Sequence, residues 1–448
     1  MRASPWFVPA LALLAAVGLS LAPAGTVAPV AAQQGPCTGT VAQPANGTTV
    51  VSVQGAKFAG EDSGKRAARL VAFGPNGSVE FVQPYGGNIV WGYDVDPMAN
   101  GNLFVTATIR GDTRVFELDP ETGERVWQET FDALDTHDAD LVRGNSIALA
   151  NMRNYDEDAG ENRDRLFVYN RTTDEVTEEW LFDDHYPRSA GGNYEDDWTH
   201  VNDVDRIGED RYLLSPRNLD QVIVVNTETG EIEQRLGADG NFDVLRKQHN
   251  PDYLRGAGGT PTMLVGDSDN DRVVEYARVD GEWQRTWKVG EGQFDWPRDA
   301  DRLPNGNTLI TDSRNHRVLE VTPGGEVVWE VYVPWLPYDA ERIGTGDGSN
   351  GPTVREQDAT GAVRLAGSAG GHEDLETLEA CGDHLASFPR STADEWPPEG
   401  VPVQGGGPPP GDDAGPDVPF AAPGSLAAGV ALGLLVVIAL GARYRLRD

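Results

Sequence analysis

Short apolar runs recur along the chain in strand-like alternation. RVFELDPETGERVW, RLFVYNRTTDEVTEEW, QVIVVNTETGEIEQRLG, RVVEYARVDGEWQRTW and RVLEVTPGGEVVWEV each place Val, Leu, Ile or Phe around a turn of the TGE or GGE kind, and such runs predict strands joined by hairpins. Before each run lies a further apolar stretch, opening at Tyr93, His137, His200, His249 and Arg298. The openings are 44, 63, 49 and 49 residues apart, close to the roughly 40 to 50 residues of a four-stranded propeller blade. A weaker copy, RLVAFGPNGSVEFVQ, begins at Arg69. The pattern predicts an all-β fold, a six-bladed β-propeller, with no segment of comparable length reading as an amphipathic helix. A β-sandwich accounts for the alternation but not for a motif repeated in fixed register.

The two ends of the chain read differently. Arg2, the apolar run from Trp6 to Leu21 and the small residues up to Ala32 have the layout of a cleavable secretory signal over residues 1–33. Residues 389–420 form a Pro/Gly-rich stalk, residues 421–442 an apolar stretch long enough to span a bilayer, and residues 443–448 a basic tail with Arg443, Arg445 and Arg447. The expected arrangement is a propeller over residues 37–388 at the cell surface, outside the cytoplasm and anchored to the membrane through its C-terminal helix.

Charge narrows the partners. The chain has 71 Asp and Glu against 36 Lys and Arg, a formal net charge of −35, which repels nucleic acid and anionic lipid surfaces. The acids are spread over all the blades, as on the solvated surface of a salt-adapted protein. The two cysteines, Cys37 and Cys381, lie before the first repeat and after the last. An oxidising compartment favours their pairing into a disulfide that ties the two ends of the ring together, with two free thiols as the alternative. Asn46-Gly-Thr, Asn76-Gly-Ser and Asn170-Arg-Thr are sequons for N-linked glycans.

Candidate chemistry lies in the repeat. Stacking blades around an axis brings equivalent positions together, and His137, His200 and His249 occupy one slot in three successive copies, with Tyr93 and Arg298 in the copies on either side. A second slot, one strand on, holds Arg110, Arg153 and Arg217, then Ser268 and Ser313. Imidazole and guanidinium donors together suit a compact oxyanion such as sulfate or phosphate. Three imidazoles can also hold a metal, but neighbouring arginines disfavour a dication, so neither metal nor cofactor is expected. GDSDNDR, with Asp267, Asp269 and Asp271, resembles a calcium loop but lacks the glycine at its sixth position. Its counterpart TDSRNHR favours an ordinary hairpin turn.

Over residues 135 to 275 the chain resembles the arylsulfotransferases that work without a soluble nucleotide donor, here in a haloarchaeal-like form. The residues that carry the resemblance are Asp197-Trp198 before His200 and Asn202, Ser215 with Arg217, Gln248-His249, and His137-Asp138. The resemblance implies a secreted six-bladed propeller that moves a sulfuryl group from an aryl sulfate to a phenol through a sulfohistidine. By match to the Gln-His motif His249 is the nucleophile, with His200, Arg217 and His137 completing the catalytic set. Tyr93, Arg298, Asn202 and Arg110 are the expected substrate-binding residues. The alternative is a quinoprotein-like or NHL-like propeller without enzymatic activity, serving as a cell-surface binding or scaffold protein.

Overall fold

The computed structural model describes residues 35–55, 67–86, 89–109, 111–346 and 348–388. The expected signal, stalk, membrane-spanning stretch and basic tail lie outside these residues, as does Arg110. No helix among the described residues is long and apolar enough to cross a membrane.

Among the described residues the fold is six blades built on four antiparallel strands each, two of them carrying a fifth strand, with a two-stranded ribbon of Tyr155–Asp156 and Glu161–Asn162 beside them. The second blade runs Ile89–Pro97, Leu103–Ile109, Asp112–Leu118 and Arg125–Phe131 from axis to rim. The third runs Ala139–Val142, Ser146–Asn151, Arg165–Asn170 and Glu175–Leu181, and the fourth Val201–Arg206, Arg211–Pro216, Gln221–Asn226 and Ile232–Gly237. The fifth is His249–Gly256, Thr260–Asp267, Arg272–Val279 and Glu282–Val289, and the sixth Pro297–Arg302, Thr308–Asp312, Arg317–Val321 and Val327–Tyr332.

The first blade is composite. Thr49–Val53, Arg69–Phe73 and Val79–Pro84 come from the N-terminal part, but the innermost strand is Pro337–Arg342 from the other end of the chain. The ring is therefore closed by strand pairing. The N-terminal strand Thr38–Val41 adds to the rim of the sixth blade, and Gly361–Val363 adds in parallel to the rim of the fifth.

Among the described residues six apolar clusters fill the contacts between adjacent blades, and a seventh, Trp91 with Tyr93 and Tyr338, lies at the axis. Val50 packs toward the second blade and its neighbour Val51 toward the sixth. Inner strands thus bury both faces, which explains why they read as continuous apolar runs. The rim strand Arg125–Phe131 has one face in solvent and alternates.

Innermost strands have a free edge, and acids meet it. Asp138 and Asp140 accept from the backbone N–H of Val204 and Arg206, Asp299 from that of Ala340, and Asp339 from that of Val95. Each bond crosses from one blade to the next. Repeated acids that look like surface charge in the sequence are thereby interblade connectors that satisfy buried donors.

Beyond the last blade the described residues include one α-helix, Leu375–Ala386, capped by Asp374. The sequence pattern did not predict it, because its apolar face is only Leu378, Cys381 and Leu385, buried against the sixth and first blades. Cys381 on this helix forms a disulfide with Cys37.

Candidate active site

The entries to the innermost strands are sharply turned. Asp135, Lys247, Trp296 and Leu336, each two residues before the slot residue of its blade, adopt left-handed backbone with φ of 55°, 46°, 60° and 68°. His200 carries the turn itself, at φ 44°. Such conformations are costly for bulky side chains, and here they aim successive residues at the axis. The slot residues His137, His200, His249, Tyr93 and Arg298 are all buried there.

Tyr338 fills the sixth place. Sequence reading missed it because it lies on the strand that closes the ring. Tyr338-Asp339-Ala340-Glu341-Arg342 nevertheless parallels Arg298-Asp299-Ala300-Asp301-Arg302. Its hydroxyl lies 3.2 Å from Nδ1 of His137, and its ring stands edge-on to those of His137, Tyr93 and His249, with centroids 5.5, 5.1 and 6.3 Å away. Tyr93 stacks on His137 at 4.0 Å, and His137 meets His200 edge-on at 5.1 Å.

Each histidine has its own support. Nδ1 of His200 lies 2.8 Å from Asp197, which also pairs with Arg153 at 3.2 Å and Arg217 at 3.7 Å. Arg153 bridges on to Asp135 at 3.1 Å, and Asp135 accepts from the Tyr93 hydroxyl at 2.5 Å and lies 3.7 Å from Nε2 of His137. Nδ1 of His249 lies 2.8 Å from the hydroxyl of Ser268, which donates to the backbone carbonyl of Pro297 at 2.7 Å. The second repeat slot therefore does reach the histidines, through Arg153, Arg217 and Ser268.

Asn202 serves the backbone. Its side-chain amide donates to the carbonyl of Gln248, and the Gln248 amide donates to Ser215 and to the carbonyl of Gln221. Together they fix the approach to His249. Arg298 donates to Gln54 at 2.7 Å and lies 4.0 Å above Trp296 and 4.7 Å above Tyr338.

The electrostatics keep the imidazoles neutral. Burial, then Arg298 and Arg217, hold His249 well below the ordinary histidine value. Burial and Arg217 bring His200 to about 3, against the pull of Asp197. His137 is lowered by burial despite Asp135. Burial pushes the Tyr338 hydroxyl far above the usual tyrosine range, so it keeps its proton. Burial would raise Asp135, but His137, Arg153 and Tyr93 outweigh it and hold the carboxyl at about 2.

The loop that resembled a calcium site is a hairpin turn. Asp267 accepts from Asn270 and, at 2.6 Å, from Arg272. Asp312, Asn315 and Arg317 repeat the arrangement in the sixth blade.

Residues 41–256 match the arylsulfotransferase (ASST) family. The arylsulfotransferase match takes in His137, His200, Arg217 and His249 and ends before Arg298 and Tyr338. It implies a sulfotransferase on a propeller fold acting on small aryl substrates. No curated protein matches the chain. Among solved structures, a protein of unknown function from Bacteroides caccae shares 13% identity over 67% of this chain and 100% of its own, with a TM-score of 0.47. An auxiliary nutrient binding protein from Bacteroides thetaiotaomicron shares 10% over 61% and 75%, with a TM-score of 0.41. Virginiamycin B lyase from Staphylococcus aureus shares 9% over 53% and 69%, with a TM-score of 0.34. At these values the likenesses carry no argument about this chain.

Proposed function

We propose that the protein transfers a sulfuryl group from an aryl sulfate to a phenol through a sulfohistidine on His249. The observation that carries this reading is the bond from His249 to Ser268. Two backbone carbonyls, that of Pro297 at 2.7 Å and that of Gly266 at 3.3 Å, lie within reach of the serine's one proton, so in this reading Ser268 accepts from Nδ1–H of His249. A neutral imidazole protonated at Nδ1 has its lone pair on Nε2, and that lone pair is the nucleophile.

In the first half-reaction Nε2 of His249 bonds to sulfur as the bond from sulfur to the aryl oxygen breaks, and the phenolate leaves. The sulfohistidine retains its Nδ1 proton, held by Ser268. In the second half-reaction a phenol oxygen attacks the same sulfur, the N–S bond breaks, and the phenol proton passes to a base. Arg217 and Arg298 stabilise the sulfuryl oxygens, as guanidinium forks do for tetrahedral oxyanions. These arginines also keep His249 unprotonated.

The proton work falls to His200. Its Nδ1–H points at Asp197, and its Nε2 makes no hydrogen bond among the described residues. An anion bound beside it raises its low proton affinity back toward neutrality. His137 is oriented otherwise. Tyr338 donates to its Nδ1, which leaves its remaining proton on Nε2, turned toward Asp135, to serve as a donor. Tyr93 and Tyr338 form an aromatic wall beside the reacting group.

The natural setting in this reading is the cell surface. The testing reaction is release of nitrophenolate from 4-nitrophenyl sulfate in the presence of an added phenol. The expected result is steady turnover by the native chain and at least about a thousandfold loss in His249→Asn. Equal rates in the two proteins refute the nucleophile.

A further inference from the structure

We propose that Asn46 and Asn76 carry N-linked glycans, placed on the face of the propeller away from the histidines. The three sequons are equal in sequence and unequal in structure. Asn46 and Asn76 are exposed in turns, and neither side-chain amide is hydrogen-bonded to another described residue. Each is followed by a glycine in left-handed backbone, Gly47 at φ 114° and Gly77 at φ 74°. Asn170 is half-buried, and its side-chain oxygen accepts from the backbone N–H of Thr172 at 2.9 Å and of Thr173 at 3.3 Å. That bonding holds the side-chain oxygen in the turn before Glu175, and what sets Asn170 apart as an acceptor is its partial burial.

Strand register shows which face the pair occupies. Tyr338 starts the innermost strand of the first blade, at the histidine end. Thr49 pairs with Arg342 at the opposite end of that strand, while Val53 pairs with Pro337. Phe73 pairs with Thr49, so the turn holding Asn76 lies at the same far end as Asn46. The two turns adjoin, since the backbone N–H of Ala45 donates to the carbonyl of Pro75 at 2.9 Å. A bulky polar chain on either asparagine projects into solvent and leaves the histidine end of the axis clear.

The chemistry is that of an acceptor amide. The side-chain nitrogen of asparagine bonds to the anomeric carbon of a sugar carried on a lipid diphosphate, the lipid diphosphate leaves, and the nitrogen loses one proton to the transferring enzyme. The inference rests on the exported address read from the N-terminus and is independent of the catalytic reading.

The test is peptide mass spectrometry on the full chain purified from its own host, with Asn46→Gln, Asn76→Gln and the double variant alongside. The expected result is sugar on the peptides of both Asn46 and Asn76, a bare Asn170 peptide, and a double variant that migrates as a smaller species with unchanged folding. A bare peptide at Asn46 or at Asn76 overturns the proposal for that site, and bare peptides at both overturn it whole. Sugar on Asn170 overturns the structural selection between the sequons.

Discussion

Nδ1 of His249 and the hydroxyl of Ser268 are 2.8 Å apart, and the same hydroxyl lies 2.7 Å from the carbonyl of Pro297 and 3.3 Å from that of Gly266. In the proposed reaction that relationship leaves Nε2 as the reacting nitrogen. Removing it in Ser268→Ala lets the imidazole change tautomer and rotate, at a cost near that of one hydrogen bond, so kcat falls roughly three- to tenfold. Ser268→Thr keeps the hydroxyl and restores most of the rate. Steady-state kinetics on an aryl sulfate checks both. An unchanged kcat in Ser268→Ala contradicts the role given to the bond.

The histidines are poised to stay neutral in acid. His200 titrates at about 3, and His249 is lowered well below 6.5 by burial, Arg298 and Arg217. The rate at low substrate should therefore hold as pH falls through 6.5 and decline only well below it. Arg217→Ala moves this acid limb upward, because one of the charges opposing imidazolium is gone, and it lowers kcat/KM by about a hundredfold or more. A pH profile of kcat/KM in both proteins decides the point, and a native limb at 6.5 argues against a buried neutral nucleophile.

Asp299 is a connector rather than a reactant. Burial and then Asp252 push it up to about 8, although it accepts from the backbone of Ala340. A carboxyl raised from its ordinary 3.8 binds a proton in the folded state that the unfolded chain has released. Its contribution is full below about pH 3.8 and is lost as pH rises through about 8. Asn keeps the accepting oxygen without the charge. Asp299→Asn should therefore melt above the native chain at pH 8, with the gain shrinking toward pH 5. A gain independent of pH removes the ionisation from the explanation.

The disulfide between Cys37 and Cys381 closes a loop with a sequence separation of 344 residues. In the chain-entropy account a loop of that size stabilises by on the order of 5 kcal/mol. It reinforces a ring already closed by the pairing of Pro337–Arg342 with Thr49–Val53. Thermal melting of the Cys37→Ser/Cys381→Ser double variant should show a large drop in Tm with the aryl sulfate activity retained at low temperature. An unchanged Tm removes the disulfide from the account of ring stability.

Much of this architecture is visible in the chain. Blade number and the histidine slot follow from period and register, since His137, His200 and His249 open equivalent strands. Tyr338 escaped because its blade is split between the two ends of the sequence, so no contiguous copy displays it, although the match of YDAER with RDADR was there to find. Asp135 hid in a connecting loop, where nothing but its place two residues before His137 marks it. The acids after the slot residues escaped for a different reason. In so acidic a chain, a carboxylate that accepts from the next blade's backbone cannot be told from one in solvent.

The covalent intermediate tests the central claim most directly. The native chain is mixed with an aryl sulfate in the absence of phenol, quenched under alkaline conditions that preserve the acid-labile N–S bond, digested, and analysed by mass spectrometry. The account predicts one sulfuryl group on the peptide containing His249, lost when phenol is added before the quench and absent in His249→Asn. Turnover with no sulfuryl group on His249, or with the label on His137 or His200, contradicts it.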